Sequence, residues 1–311
     1  MPANLDREAK FKPWLRFGVL VAISLAVWWR PLTSTITLAL SDEQYTHILL
    51  ILPVCAALIF VIWKDHSRLS ELLPGSSRVL AAIFLLFAVF ASAVIRWRAH
   101  LSPDIALSVN MLTLVVWWIA AFALCFGERA ARRALFPLCF LLWMVPLPDF
   151  VLNSVVGWLQ QGSAASAHLL FAAAGIPVAQ RGMLLHIPGL TLEVAPECSS
   201  IRSSLVLLVT TMVLAQLFLR SFWRRSLVVA AAIPLSVAKN GLRIFTLGVL
   251  ATHVDRSFLT GRLHRQGGGI FLLIALAAEF LLLWILHRGE TENPELETSA
   301  ALREKIYPAN A

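Results

Sequence analysis

The sequence predicts an all-α polytopic membrane protein of about eight transmembrane helices, with one interfacial helix and a short outer hairpin. Three observations carry this. Of the 311 residues, 59% are hydrophobic and 14% are charged, whereas soluble domains run at about 45–50% apolar and about 25% charged. The apolar residues fall in runs of span length, roughly 17–25 residues. The basic residues sit in short clusters between those runs, where they set orientation in a bilayer.

The first run, 14–32, follows Arg7, Lys10, Lys12 and Arg16. It resembles a signal peptide in charge, but Trp28, Trp29 and Arg30 stand where small cleavage-site residues belong, so an uncleaved first span is expected. The next runs are 46–63, 79–95, 105–126, 134–152, 199–219, 226–250 and 269–287. Lys64, Arg68 and Arg78 form one basic cluster, Arg129, Arg132 and Arg133 a second, and Arg220, Arg224 and Arg225 a third. With a cytoplasmic N-terminus, eight crossings put all three clusters and both termini in the cytoplasm.

The stretch 153–175 is apolar but carries Asn153, Gln160, Gln161 and His168. A full crossing there would move the Arg220 cluster outside, so it reads as an interfacial or re-entrant helix. Turn signals follow at Gly175-Ile-Pro-Val178 and Ile187-Pro-Gly-Leu190, with the alternating Thr191-Leu-Glu-Val194 between turn and helix. These predict a small outer hairpin that delivers Cys198 to the mouth of the next helix. Residues 1–288 form the membrane domain, and the polar stretch 289–311 is a short cytoplasmic tail.

The formal charge of +8 does not point to nucleic acid, because no basic domain and no recognition motif accompanies it. Cys55, Cys125 and Cys139 lie inside apolar runs and read as small hydrophobes. No CxxC pair or Cys/His ligand spacing is present, so no metal is expected, and nothing calls for an organic cofactor. Serine-hydrolase and zincin motifs are absent too.

Cys198 differs from the other three. It lies in Glu193-Val-Ala-Pro-Glu-Cys-Ser-Ser-Ile-Arg202, at a helix start. A cysteine there is as often a small packing residue, but the polar flank favours a reactive thiolate: helix amides and the nearby Arg202 both stabilise an anion. Lys239 and Arg243 fall at i and i+4 inside an apolar run, where each ionisable group costs about 2.5–3.5 kcal/mol to insert. One arginine at a helix end is usually a snorkelling residue, whereas a shared cationic face points to a polar site. Glu279 in the last span either pairs with Lys239 or Arg243 or faces a polar crevice. Among eight histidines, position selects His264, just before Gly267-Gly-Gly269. The loop 251–268 also carries Arg256, Arg262 and Arg265 against the charge rule. A nucleophile, a fixed cation and a proton carrier from three successive helices are the set needed for thiol acyl transfer.

In order along the chain, these motifs resemble those of the exosortase/archaeosortase family. Tyr45-Thr-His-Ile-Leu49 is similar to its early Y-S-H-G-x-L element, and Phe136-Pro-Leu through Trp143-Met-Val-Pro-Leu-Pro148 to its Pro-punctuated fifth helix. Gly175-Ile-Pro-Val178 with Gly182 resembles G-I-P-V-x-x-x-G. Residues 193–202 resemble E-V-x-x-x-C-S-G-I-R, and Asn240-Gly-Leu-Arg243-Ile matches N-x-x-R-I. Ser200 stands in place of the family's Gly, and Ile48 in place of the Gly after His47. The resemblance implies that Cys198, Arg243 and His264 are catalytic; Glu197, Arg202, Lys239 and Asn240, beside them in sequence, are expected to bind substrate or support them.

It further implies a multi-pass protein of the inner membrane with its site on the outer face. The substrates are membrane-anchored proteins with a C-terminal tripartite signal: a Pro-Glu-Pro-type motif, one helix and a basic cluster. An envelope acceptor and a link to exopolysaccharide production are implied as well. The competing expectation is a non-catalytic transport or assembly protein for exopolysaccharide, which buried Lys239, Arg243 and Glu279 also suit.

Overall fold

The structure is a computed structural model and describes residues 2–65, 75–97, 101–194, 201–259 and 268–291. It forms two compact units, Met1–Asn153 and Ser154–Ala311.

The first unit is built on α5 (Pro103–Phe126), an apolar helix buried along most of its length. Pro103 opens it, where a missing amide hydrogen costs nothing. The first apolar run is not one straight helix. It divides into α1 (Pro2–Val27) and α2 (Trp29–Ser41), which meet at a 78° bend. Pro31 explains the break, since it cannot donate to the carbonyl four residues back and its ring crowds that carbonyl. α1 runs antiparallel to α5. Tryptophan N–H groups fasten the pair, because a buried indole N–H needs an acceptor. Trp117 donates to the Leu20 carbonyl (3.0 Å), Trp118 to Ser24 Oγ (2.9 Å) and Trp28 to Thr113 Oγ1 (3.0 Å).

α3 (Ile48–Asp65) and α4 (Gly75–Trp97) complete the long helices of this unit. α4 is tied to α5 by Ser92 Oγ donating to Asn110 Oδ1 at 2.8 Å. Beyond α5 the chain forms α6 (Glu128–Arg133), α7 (Leu135–Phe140) and a 3₁₀ turn over Leu141–Met144. Cys55 donates to the Pro137 carbonyl at 3.2 Å, the role of a packed thiol. The Tyr45 hydroxyl donates to the Leu147 carbonyl at 3.2 Å, and the His47 ring stands edge-on to Trp143. The Tyr-Thr-His element is therefore held as structure.

α8 (Asp149–Ala173) follows a 96° bend after Leu135–Met144 and carries the chain into the second unit. The expected two-stranded hairpin is a three-stranded antiparallel sheet: β1 (Ala179–Arg181), β2 (Leu184–Ile187) and β3 (Leu190–Glu193). Its two-residue turns need left-handed backbone, supplied by Gly182 (φ 60°) and Gly189 (φ 77°). Three helices follow: α9 (Ile201–Phe218), α10 (Phe222–His253) and α11 (Gly268–Thr291).

α10 has 32 residues and does two jobs. Nineteen residues separate Arg224 from Arg243, about 28 Å of helix, close to the hydrocarbon thickness of about 30 Å. Within that length α10 packs against α9 and α11 through Leu207, Ala232 and Ala275, then Ala215, Leu219 and Val228. Past Arg243, the remaining turns pack on α8 and the sheet. Phe171, Leu185, Leu192, Val194 and Ile244 form a core of their own there, with Phe171 and Phe245 edge-on at 5.0 Å. The sheet is thus a cap on the far end of α10.

The third basic cluster is also a clamp. Arg220 and Ser221 amides donate to the Glu290 carboxylate (2.9 Å each), which sits at the N-terminus of α10 where negative charge is favoured. Arg224 donates to the Leu286 and Gly289 carbonyls at the end of α11 (2.7 and 3.1 Å), and Arg225 to the Leu219 carbonyl (2.6 Å). Of the outer-loop cations that break the charge rule, Arg256 has a structural partner, the Gly189 carbonyl in the β2–β3 turn (3.1 Å). Next to it, the Asp255 carboxylate accepts from the Ser257 amide, which holds it below the ordinary carboxylate range.

Each of the eight apolar runs is largely helical over its described residues, with the run 134–152 interrupted at 145–148. Among the described residues, five helices are long and apolar enough to cross a membrane, and up to seven if each bent pair counts as one span. The run 79–95 is the shorter apolar helix of the set. The expectation of about eight spans therefore stands as five to seven by length and composition, because bends break two candidate spans and the helix over 79–95 is shorter than a span.

Candidate functional site

One stripe of α10 gathers the ends of three other elements. Ser236, Lys239, Asn240 and Arg243 recur at i, i+3, i+4 and i+7, so they share a helix face. Lys239 and Asn240 are buried, at 6% and 1% exposure. Lys239 Nζ donates to Ser203 Oγ and Ser236 Oγ to Ser204 Oγ, which ties the first turn of α9 to α10. Asn240 Nδ2 donates to Ser163 Oγ of α8 at 2.9 Å. Arg243 Nη1 lies 3.9 Å from the point where a side chain on Gly268 would begin, so the start of α11 abuts the guanidinium.

The backbones meet closely at this level. A methyl group on Gly241 would stand 2.3 Å from Ser166 Oγ and 2.5 Å from Ser166 Cβ. Glycine is the residue that permits this contact between α8 and α10. From the sheet side, Gln160 Nε2 donates to the Val194 carbonyl at 2.8 Å, fixing the last described residue before the Cys198 segment.

The predicted residues divide into two groups. Lys239, Asn240 and Arg243 come together on α10, with exposed Arg202 on the first turn of α9. Glu197, Cys198 and His264 lie outside the described residues. Two cations at i and i+4 repel each other, and the burial of Lys239 adds a desolvation cost. Ser203 Oγ from α9 lowers that cost by accepting from Lys239.

Glu279 corrects one expectation. It is 2% exposed on α11, and among the described residues neither carboxyl oxygen has a hydrogen-bond partner, so it pairs with neither Lys239 nor Arg243. It lies between the apolar layers around Ala275 and Leu282, at the height of Thr211 on α9. Sequence reasoning also missed Ser163, Ser203, Ser204 and Ser236. Their signal was present, as single serines inside apolar runs spaced to meet the α10 stripe, but nothing in one run tells which other run it faces.

The family model described as transmembrane exosortase matches residues 28–281. That range holds the α10 stripe, both segments that carry the predicted thiol and imidazole, and the whole sheet. The chain belongs to the transmembrane exosortase family. Exosortases are in general membrane cysteine transpeptidases, and a multi-pass architecture with a polar seam inside the bundle accords with that class. Comparisons with curated proteins and with solved structures give no match. Among the described residues no group of three or more His, Cys, Asp or Glu side chains is placed to hold a metal ion.

Proposed function

We propose that this exosortase is a membrane-embedded cysteine protease/transpeptidase. It cleaves and sorts proteins that carry a C-terminal tripartite signal, in the service of exopolysaccharide and envelope assembly, with its site on the outer face of the inner membrane. The observation that carries the reading is the family match, joined to the way α10 anchors the described ends of both site segments. Cys198 is three residues before Ile201 and His264 is four before Gly268, chain lengths of at most about 11 and 14 Å. The α9 end is bonded to Lys239 through Ser203 Oγ, and the start of α11 lies beside Arg243; those two cations are one helical turn apart.

The mechanism follows from these groups. The Cys198 thiolate attacks the scissile carbonyl, and the carbonyl electrons move onto oxygen. Arg243 stabilises that oxyanion. The C–N bond then breaks, His264 gives its proton to the departing amine, and a thioester remains on Cys198. Water, or an amine or hydroxyl of an envelope acceptor, attacks the thioester and restores the thiol. Arg202, Glu197, Lys239 and Asn240 bind the motif or hold the catalytic groups in place.

The test is a reconstituted reaction. The full chain is placed in vesicles with a precursor that ends in the motif, one helix and a basic cluster, and neutral hydroxylamine is added. Two fragments cut just before the helix are expected, with the released ectodomain ending in a hydroxamate. An intact precursor, or cleavage unchanged after Cys198 is alkylated, contradicts the reading and favours the transport class.

A further inference from the structure

We propose that the elbow between α1 and α2 is a binding site for one anionic phospholipid of the bilayer, its acyl chain in an apolar groove and its headgroup on Arg30. The groove has a volume of about 670 Å³, inside the roughly 300–1,000 Å³ of small-ligand sites. Ala26, Val27 and Pro31 form one wall, and Pro103, Ala106 and Leu107 of α5 the other.

Three observations select the occupant. First, the lining pairs an aromatic with a cation. Trp29 is 56% exposed and stands beside Arg30, a combination enriched where protein meets the membrane–water interface. The 78° bend turns amphipathic α2 away from the α1 axis, which opens the groove beside these two residues.

Second, the groove makes no polar demand on its deep side. Asn110 lines it, but its Oδ1 accepts from Ser92 and its Nδ2 donates to the Ala106 carbonyl at 2.8 Å. A hydrocarbon chain fits such walls, and a small free anion does not need them.

Third, Arg30 is the charged residue of the lining; its carbonyl accepts from Thr33 Oγ1, while among the described residues its guanidinium makes no ion pair and no hydrogen bond. Its guanidinium rests over the Trp29 ring at 5.5 Å. That contact leaves the guanidinium donors free for phosphate, the anion its fork geometry suits. With no acidic residue lining the groove, net negative headgroups are favoured over zwitterionic ones.

The test uses the full chain in phosphatidylcholine vesicles doped with phosphatidylglycerol that carries a diazirine on its acyl chain. After photolysis, wild-type label is expected to concentrate on peptides covering residues 26–34 and 103–110. Arg30→Gln is exposed and leaves the fold intact, as gel filtration would verify; it should cut that label at least about fivefold, the weight of one cation at an anionic surface. Ala106→Trp fills the groove and should also remove it. Equal labelling in wild type and Arg30→Gln, or label spread evenly over all lipid-facing helices, overturns the proposal.

Discussion

Replacing Cys198 with alanine is expected to leave a tripartite-signal precursor uncut, with the rate of processing down by at least about 10³-fold. The size follows from the chemistry. Removing a covalent nucleophile removes the step itself, and the oxyanion and binding contributions that remain recover little without it. The three described cysteines are controls with known surroundings. Cys55 is buried and donates to the Pro137 carbonyl, and Cys139 is exposed on an apolar helix. Alanine at Cys55, Cys125 and Cys139 together should preserve processing. Immunoblotting of precursor and product in cells, beside a thermal unfolding curve of each purified variant, separates chemistry from folding. Full processing by Cys198→Ala would remove the thiol from the mechanism.

Gly241→Ala is the second large effect, and it acts through packing. Alanine is about 0.8–1.0 kcal/mol better than glycine inside a helix, so propensity alone predicts a gain. The contact predicts the opposite. The new methyl would meet Ser166 Cβ at 2.5 Å and the Ala167 amide nitrogen at 3.0 Å, atoms fixed to the α8 backbone. Overpacking of this kind costs about 1–3 kcal/mol. Separating α8 from α10 also stretches the Asn240–Ser163 bond at the base of the site, so processing should fall along with the thermal midpoint. Gly157, in the same helix α8, has nothing within 4 Å of its would-be side chain. Gly157→Ala should therefore raise the midpoint. A midpoint that rises in both variants would show that propensity governs and that the α8–α10 contact is loose.

Much of this fold was legible in the chain because hydrophobic run length answers to bilayer thickness. Over the described residues, each apolar run is mostly helix. The elbow at Trp28 was missed although Pro31 marks it, since a run long enough to span is read as straight unless a helix breaker is weighed against it. The third strand was missed for a different reason. Ala179-Gln-Arg181 has no apolar alternation, because β1 is an edge strand with little to bury. The turn at Ile187-Pro-Gly-Leu190 was readable from its Pro-Gly pair, and the positive φ of Gly189 bears that out, whereas the turn at Gly182 had no such signal.

In the site, Lys239, Asn240 and Arg243 stood out as charge and amide inside apolar sequence, and they share a face because helical periodicity guarantees it. Their partners were hidden. Ser203 and Ser163 look like any serines in a span, and only tertiary packing turns them into acceptors for Lys239 and Asn240. The pairing alternative for Glu279 fails by the same route. Opposite charges in neighbouring spans invite pairing, yet helical rise places Glu279 about 16 Å along α11 from Gly268, too deep to meet Arg243.

The central claim is that a thiol, a guanidinium and an imidazole meet at the outer mouth of α9, α10 and α11. The most direct measurement joins two of them. In a background where Cys55, Cys125 and Cys139 are alanine, His264→Cys is paired with native Cys198, and a short membrane-impermeant bis-methanethiosulfonate crosslinker, which joins two thiols with loss of two sulfinates, is added to intact cells. The account predicts an intramolecular link, detected by mass spectrometry as a bridge between the two peptides. No link, or a link formed only when the reagent reaches the cytoplasmic side, would contradict it.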